Sequence, residues 1–112
     1  MNQLGLAAEQ LAAEYLSQQG LSIIARNWRC RFGEIDLIAQ QGKTLIFVEV
    51  RQRKNSRFGG AASSISATKQ GRLIRTAQMY LQSISPTPAC RFDAVCIDGE
   101  QLTWLQDCIQ AN

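Results

Sequence analysis

Histidine is absent from this chain of 112 residues. Its absence excludes Ser-His and Cys-His nucleophilic catalysis, because both need an imidazole base. It also excludes the commonest zinc sites, which use histidine ligands. If the protein is a hydrolase, a metal ion held by oxygen atoms is the expected activator.

Paired cysteine motifs are missing as well. The four cysteines form no C-x-x-C pair, so neither a zinc ribbon nor a redox motif is supported; they are Cys30, Cys90, Cys96 and Cys108. The first residues, MNQLGLAAEQ, lack the basic start and the apolar run of a secretory signal peptide. We therefore expect reduced, mostly buried thiols in a cytoplasmic protein.

Long apolar runs are also absent. The uninterrupted apolar segments are only a few residues long, whereas a membrane-spanning helix needs about 20 residues. We expect a soluble protein with no membrane partner.

The length favours a single domain over residues 1–112, which would bury roughly two-thirds of the surface of the unfolded chain.

The charges that are present are unevenly distributed. The formal net charge is +3, and eleven of the twelve basic residues lie between Arg26 and Arg75. The acidic residues in that part of the chain are Glu34, Asp36 and Glu49. A basic region around a small acidic cluster is typical of a protein that holds a polyanion against a bound cation. The alternative from charge alone is an ordinary solvated surface.

Hydrophobic periodicity predicts two helices and five strands. Leu4, Ala8, Leu11 and Tyr15 recur at helical spacing in the first helix, and Gly20 ends it. The predicted order is a helix at 3–19, strands at 21–29, 34–39 and 44–51, a polar loop at 52–64, a helix at 66–82, a strand at 90–98 and a short strand at 101–106. This order predicts an α/β sandwich in which a three-strand meander is followed by a crossover helix and a parallel partner for the third strand.

A two-residue turn at Gly42 and Lys43 would set the register of the second and third strands. The expected opposed pairs are Leu37 with Val48, Ile38 with Phe47, Ile35 with Val50, Asp36 with Glu49, and Glu34 with Arg51. Directly opposed carboxylates repel, and a divalent cation between Asp36 and Glu49 would turn that repulsion into a binding site. The alternative is a wet sheet end at which Arg51 compensates both charges. A register slip of one residue would remove the argument.

Four motifs in order carry a family resemblance: GEIDLIA, FVEVRQR, ISATKQGRL and RFDAVCI. Together they resemble the YraN-like family of small bacterial proteins, over nearly the whole chain. That family is similar to restriction-endonuclease-fold nucleases of the PD-(D/E)XK type and to archaeal Holliday-junction resolvases. The resemblance implies a restriction-endonuclease-like three-layer sandwich with a mixed central sheet.

The resemblance also implies a metal site. Asp36 and Glu49 would hold Mg²⁺ or Mn²⁺, and the backbone carbonyl of Val50 would join them. Glu9, on the first helix, matches an acidic residue that completes the site in the resolvases. Two residues at the start of the second helix, Lys69 and Gln70, match positions close to the site.

Arg51 departs from the motif, which has lysine at this position. A lysine there can orient or deprotonate water, whereas arginine cannot act as a base and is shaped to clamp a phosphate or a carboxylate. Arg51 would then stabilise the phosphate during the reaction. Two alternatives remain open: Lys69 supplies the amine, or Glu34 binds Arg51 and catalysis is weak or absent.

These observations predict a metal-dependent phosphodiesterase acting on DNA, with branched or flapped DNA as the expected substrate. The residues expected to contact nucleic acid are Arg53, Lys54, Arg57, Lys69, Gln70 and Arg72. One alternative is a nucleic-acid-binding module that has kept the fold and lost the chemistry, and another is a partner-binding or structural role without nucleic acid. A chain this small covers little DNA, so a homodimer that places two sites on two strands is a further expectation.

Overall fold

In the part of the chain that the structure describes, five strands form one sheet in which spatial order follows chain order. The structure is a computed structural model that describes residues 3–53 and 65–110. Its elements are α1 (Gln3–Gln18), β1 (Ser22–Cys30), β2 (Gly33–Gln41), β3 (Thr44–Arg53), α2 (Ala67–Leu81), β4 (Cys90–Asp98) and β5 (Gln101–Ile109). The β3–β4 pair is parallel and is connected through α2, and the other neighbouring pairs are antiparallel. The predicted α/β class, with a mixed sheet of five strands and two helices, is therefore confirmed.

The last strand is longer than the predicted short strand, which was expected to end at residue 106. β5 extends to Ile109 because the pairing with β4 continues past an irregularity, from Ala94↔Leu105 to Phe92↔Ile109. Asp107 lies within this irregularity with a φ of 53°. Its backbone N–H donates to a buried carboxylate on β4, that of Asp93, at 2.9 Å. A polar segment thus stays in the sheet through a side-chain contact that strand periodicity does not reveal.

The predicted turn between β2 and β3 is present. Gln41 pairs with Thr44, which leaves Gly42 and Lys43 as a two-residue loop. Gly42 has a φ of 61°, in the left-handed region that glycine adopts without strain. The expected pairs Leu37↔Val48 and Ile38↔Phe47 both form, so this part of the register is confirmed.

The two helices lie against separate apolar clusters of the sheet. α1 packs on one cluster through Ala8, Ala12, Ala13 and Leu16, against strand residues that include Leu37, Ile46, Val48 and Val95. α2 packs on the other through Leu73 and Ala77, against Ile35, Ile38, Phe47 and Phe92. Phe47 and Val48 are successive residues of β3 and so point to opposite faces of the sheet. The helices therefore cover both faces and give three layers.

The start of α2 is fixed by a capping contact. Ser66 has extended backbone angles, and its hydroxyl oxygen accepts a hydrogen bond from the N–H of Lys69 at 3.1 Å. This contact satisfies one of the free amide groups of the first turn. It also sets the position at which the Lys69 side chain leaves the helix.

The cysteines differ from the expectation of mostly buried thiols. All four are free, but only Cys96 is buried, while Cys30 is half-buried and Cys90 and Cys108 are exposed. Burial raises the pKa of the Cys96 thiol to about 11, with the negative charge of Asp98 as a second cause. Cys90 begins β4 and Cys108 follows the irregular position of β5, so neither lies in the covered centre of the sheet.

Neither described helix is both long enough and apolar enough to cross a membrane.

Candidate active site

β2 and β3 stop pairing just before Asp36. Their paired residues run from Gln41↔Thr44 to Leu37↔Val48. Beyond that point the Oδ2 atom of Asp36 accepts a hydrogen bond from the backbone N–H of Val50 at 2.8 Å. The carboxylate takes the amide that backbone pairing would otherwise use. The expected ladder pairs Ile35 with Val50, Asp36 with Glu49, and Glu34 with Arg51 are therefore wrong, and a side chain bridges the strands instead.

Asp36 and Glu49 nevertheless come together at this point. Glu49 is buried, with 4% of its side chain exposed. Burial and the negative charge of Glu49 together raise the pKa of Asp36 to about 7, and the hydrogen bond from Val50 partly opposes them. The expected repulsion between the two carboxylates is thus present in the folded chain, without the ladder pairing.

Two cations lie on one side of Glu49. Its Oε1 atom is 3.7 Å from Nζ of Lys69 and 3.8 Å from Nη1 of Arg51. Lys69 comes from the first turn of α2, and Arg51 follows two residues later on the same strand, so it leaves the sheet on the same face. The Oε2 atom of Glu49 is buried and has no hydrogen-bond partner among the described residues. A buried carboxylate oxygen without a partner is costly and calls for an explanation.

Glu9 reaches the same region from α1 through an asparagine. The Nδ2 group of Asn27 donates to Oε1 of Glu9 and to Oε1 of Glu34, both at 2.9 Å. Burial raises the pKa of Glu9, as do the charges of Asp36 and Glu34, and the Asn27 hydrogen bond partly offsets this. Glu9 is half-buried.

Asn27 is a residue that the sequence analysis did not select. It lies within β1 with a φ of 51°, a left-handed conformation that asparagine adopts more readily than most residues. In that conformation the Asn27 side chain donates to Glu9 on α1 and to Glu34 on β2. The only signal in the sequence is an asparagine inside an otherwise regular strand, where it is disfavoured.

The donor set fits a divalent metal ion that prefers oxygen ligands. Among the described residues, no group of three or more His, Cys, Asp and Glu side chains is arranged to hold a metal. Mg²⁺, however, is commonly bound by one or two carboxylates and keeps several waters. Asp36 and Glu49 supply that number, and the unpartnered Oε2 of Glu49 offers a free ligand atom. The N–H and C=O of a strand residue point to the same neighbouring strand, so the Val50 carbonyl faces the gap that holds Asp36.

The other predicted contact residues lie at different distances from this centre. The side-chain amide of Gln70 donates to the carbonyl of Ile65 at 3.1 Å, which ties it to the backbone just before α2. Arg72 is exposed on α2. Arg53 is the last residue of β3, and its side chain is outside the described part of the structure. Lys54 and Arg57 lie outside the described residues altogether.

Asp93 is a second buried carboxylate, and it has a complete set of partners. Arg91 donates to it through Nε at 3.0 Å and Nη2 at 3.2 Å. The indole N–H of Trp104 donates at 2.9 Å, and so does the backbone N–H of Asp107. Because every contact links β4 to itself or to β5, the aspartate of the RFDAVCI motif holds the sheet together and leaves no oxygen aimed at the candidate site.

Comparison with known proteins places the chain among a group of close relatives. The model of the "Uncharacterised protein family UPF0102" matches residues 8–97. A UPF0102 protein of Janthinobacterium sp. (strain Marseille) is 54% identical over 107 residues, which cover 96% of this chain and 87% of the relative. A UPF0102 protein of Methylobacillus flagellatus is 54% identical over 114 residues, which cover 99% of this chain and all of the relative. A UPF0102 protein of Psychromonas ingrahamii is 50% identical over 111 residues, covering 97% and 91%.

Proposed function

The chain belongs to the uncharacterised protein family UPF0102, as the YraN-like resemblance predicted, and from its candidate site we propose that it is a metal-dependent phosphodiesterase acting on DNA. The family name assigns no activity, so the proposal depends on the arrangement of Glu9, Asp36, Glu49 and Lys69. Mg²⁺ or Mn²⁺ is the proposed cofactor.

The buried, unpartnered Oε2 atom of Glu49 carries the proposal. Its neighbour Asp36 has a raised pKa because Asp36 is half-buried and lies near the negative charge of Glu49. Lys69 and Arg51 lie beside Oε1, but a buried oxygen such as Oε2 that has no partner lowers the stability of the fold. Retention of the pair is explained if its normal state includes a bound cation, and the charge of the site is then balanced.

The residues around the ion have separable roles in this proposal. When bound, the ion supplies positive charge for a phosphate and lowers the pKa of a water molecule. Asp36 and Glu49 would hold it together with the Val50 carbonyl, while Glu9 would lie behind Asp36. Lys69 and Arg51, both within 4 Å of Glu49, would bind the phosphate oxygens and stabilise the charge that develops there.

The architecture supports a nuclease of the restriction-endonuclease type. A mixed sheet covered on both faces, with the acidic residues at the start of β2 and near the end of β3, agrees with the sandwich that the sequence motifs imply. Sites in open α/β sheets gather at strand ends. Branched DNA as substrate, a homodimer with two sites and a cytoplasmic location are part of the same proposal.

A second candidate function is nucleic-acid binding without catalysis. Arg51 favours it, because the motif lysine is replaced by a group that cannot accept a proton. The position of Lys69 favours the enzyme, since its amine lies as close to Glu49 as the guanidinium of Arg51 does. The enzyme would cleave a DNA strand with the Lys69 amine and a metal ion, whereas the binding module would hold DNA without cleaving it.

Cleavage assays on junction, flap, duplex and single-stranded DNA test the proposal directly. We expect cleavage of at least one branched substrate by the wild type with Mg²⁺ or Mn²⁺, and none by Glu49→Gln. Lys69→Ala should lose about 10²-fold or more in rate, the scale of one electrostatic contact in a buried site. Arg51→Lys should keep or increase the rate, because lysine restores the motif.

The outcomes separate the two functions. Binding of the same DNA by wild type and Glu49→Gln, with no cleavage by either under any ion, would support the binding module and overturn the enzyme. Cleavage that persists in Glu49→Gln would place the catalytic centre elsewhere.

A further inference from the structure

The turn between β1 and β2 carries one exposed arginine, Arg31, and a second exposed arginine, Arg29, lies on β1 just before it. Arg31 and Phe32 form the two-residue loop between the paired residues Cys30 and Gly33. Arg31 is exposed, and its guanidinium lies 4.9 Å from the centre of the Phe32 ring. Arg29, on β1 just before the turn, has a side chain 65% exposed and a 3.5 Å contact with Glu34. Turns of this length favour small residues such as Asn and Gly, so folding does not explain this choice.

This turn lies at the same end of the sheet as the candidate site. β2 starts at Gly33 and reaches Asp36 three residues later, while antiparallel β3 passes Glu49 shortly before it ends. The turn also meets α2: a Cβ atom added to Gly33 would lie 3.3 Å from Oγ1 of Thr76 and 3.8 Å from Cβ of Arg72. Gly33 thus lets the turn approach the helix beside Arg72.

A basic surface therefore continues from the site towards the turn. Lys69 and Arg72 are three residues apart on α2 and so are neighbours on its surface. Lys69 is next to Glu49, and Arg72 is next to the turn that carries Arg31. We define the turn surface as Arg29, Arg31 and Arg72.

The charge on the opposite flank of the site has the other sign. β4 runs parallel to β3, and the pair Arg53↔Asp98 puts the start of the β4–β5 turn at this same end of the sheet. That turn follows Asp98 with Gly99 and Glu100, and Glu100 is exposed. The exposed Glu100 repels a polyanion on this flank, whereas the exposed Arg29 and Arg31 attract one on the β1–β2 side.

We propose that a nucleic-acid backbone runs from the candidate site across the start of α2 to the β1–β2 turn, where Arg29 and Arg31 bind its phosphates. This inference rests on the proposed function and gives the direction in which the substrate leaves the site. It adds a contact to those expected from the segment after β3. The contact is to phosphates and so is independent of base sequence. The exposed ion pair between Arg29 and Glu34 contributes little and does not prevent Arg29 from binding a phosphate.

Salt-dependent binding of a short labelled duplex in the presence of EDTA tests the proposal without cleavage. The logarithm of the binding constant falls linearly with the logarithm of the salt concentration, and each lost phosphate contact reduces the steepness of this slope by about 1. We expect Arg31→Ala to lower the slope by about 1 and Arg29→Ala with Arg31→Ala to lower it by about 2. Lys43→Ala is the matched control, because it removes an exposed charge from the β2–β3 turn at the opposite end of the sheet, and it should leave the slope unchanged.

An unchanged slope in the double variant would overturn the inference, because it would show that Arg29 and Arg31 do not contact phosphates. A change in slope for Lys43→Ala as large as that for Arg31→Ala would also overturn it, because the effect would then reflect only the net charge of the protein. A wild type that cleaves DNA while the double variant keeps its slope refutes the turn surface alone. A wild type that shows the expected slopes but neither cleaves nor responds to Mn²⁺ refutes the enzyme and leaves the turn surface supported.

Discussion

At the scale of single residues, the site depends on the repulsion between a buried carboxylate, Glu49, and a half-buried one, Asp36. Asp36 uses one oxygen to accept the Val50 amide, and Glu49 has one oxygen near two cations and another without a partner. The sequence indicated the conflict, because the turn at Gly42 and Lys43 puts the two residues at opposed positions of the predicted hairpin. It could not indicate that Asp36 would part the strands, since that depends on which acceptor reaches a backbone N–H in three dimensions.

The raised pKa of Asp36 predicts a pH dependence of stability in the metal-free protein. The pKa is 3.8 ordinarily and about 7 in the folded chain, so between these values the folded state binds more protons than the unfolded state. The free energy of unfolding should then fall as the pH rises from about 4 to about 7, on the order of 1 kcal/mol per pH unit. Melting temperatures measured with a chelator across this range check the prediction.

The control for this effect is an isosteric change. Asp36→Asn keeps an acceptor oxygen for the Val50 amide and removes the titration, so its stability should vary less across the range. Glu14→Gln changes an exposed carboxylate on α1 and should keep the full dependence. Equal slopes in wild type and Asp36→Asn would show that Asp36 does not titrate there.

At the scale of elements, the sequence predicted what local pattern controls. The bounds of both helices, the turn at Gly42 and Lys43 and the crossover through α2 all follow from periodicity and turn chemistry. It missed features that depend on side chains reaching between elements: the Asn27 bridge, the end of the β2–β3 pairing at Leu37, and the extension of β5 to Ile109. Such contacts join residues far apart in sequence, and no local pattern encodes them.

The Asp93 contacts predict a strong effect on stability. Asp93→Asn removes the negative charge beside Arg91 and keeps only one acceptor oxygen, so either the Trp104 indole N–H or the Asp107 backbone N–H loses its acceptor. Breaking a buried ion pair in this way costs about 3–5 kcal/mol. Urea unfolding measures this loss of stability as a lower midpoint concentration, while the dependence of the free energy of unfolding on urea concentration should not change.

A neighbouring substitution separates the carboxylate from the irregular backbone of β5. Asp107→Asn keeps the N–H that Asp93 accepts and tolerates the φ of 53°, so its stability should stay within about 0.5 kcal/mol of the wild type. If Asp93→Asn unfolds at the same urea concentration as Asp107→Asn, the buried contacts do not stabilise the sheet.

At the scale of the whole molecule, the site is a product of the complete fold. Glu9 comes from α1, Asp36 from β2, Glu49 from β3 and Lys69 from α2, so four elements must be in place before these groups meet. In the unfolded chain the same residues are spread over tens of positions. An ion held by this site therefore binds the folded state and gains little from the unfolded state, which couples site chemistry to global stability.

This coupling predicts that Mn²⁺ raises the melting temperature of the wild type by mass action. Above the dissociation constant, each tenfold increase in free ion adds about 1.4 kcal/mol to the free energy of unfolding. Glu49→Gln should lose the response to Mn²⁺; without the ion it removes the repulsion from Asp36 but also the charge that Lys69 and Arg51 face, so its response to the ion decides the test. Glu14→Gln should keep the response. Scanning calorimetry over a series of Mn²⁺ concentrations measures all three proteins. An equal response of wild type and Glu49→Gln would mean that the ion binds elsewhere. The absence of a response in all three proteins would contradict a cation site between Asp36 and Glu49.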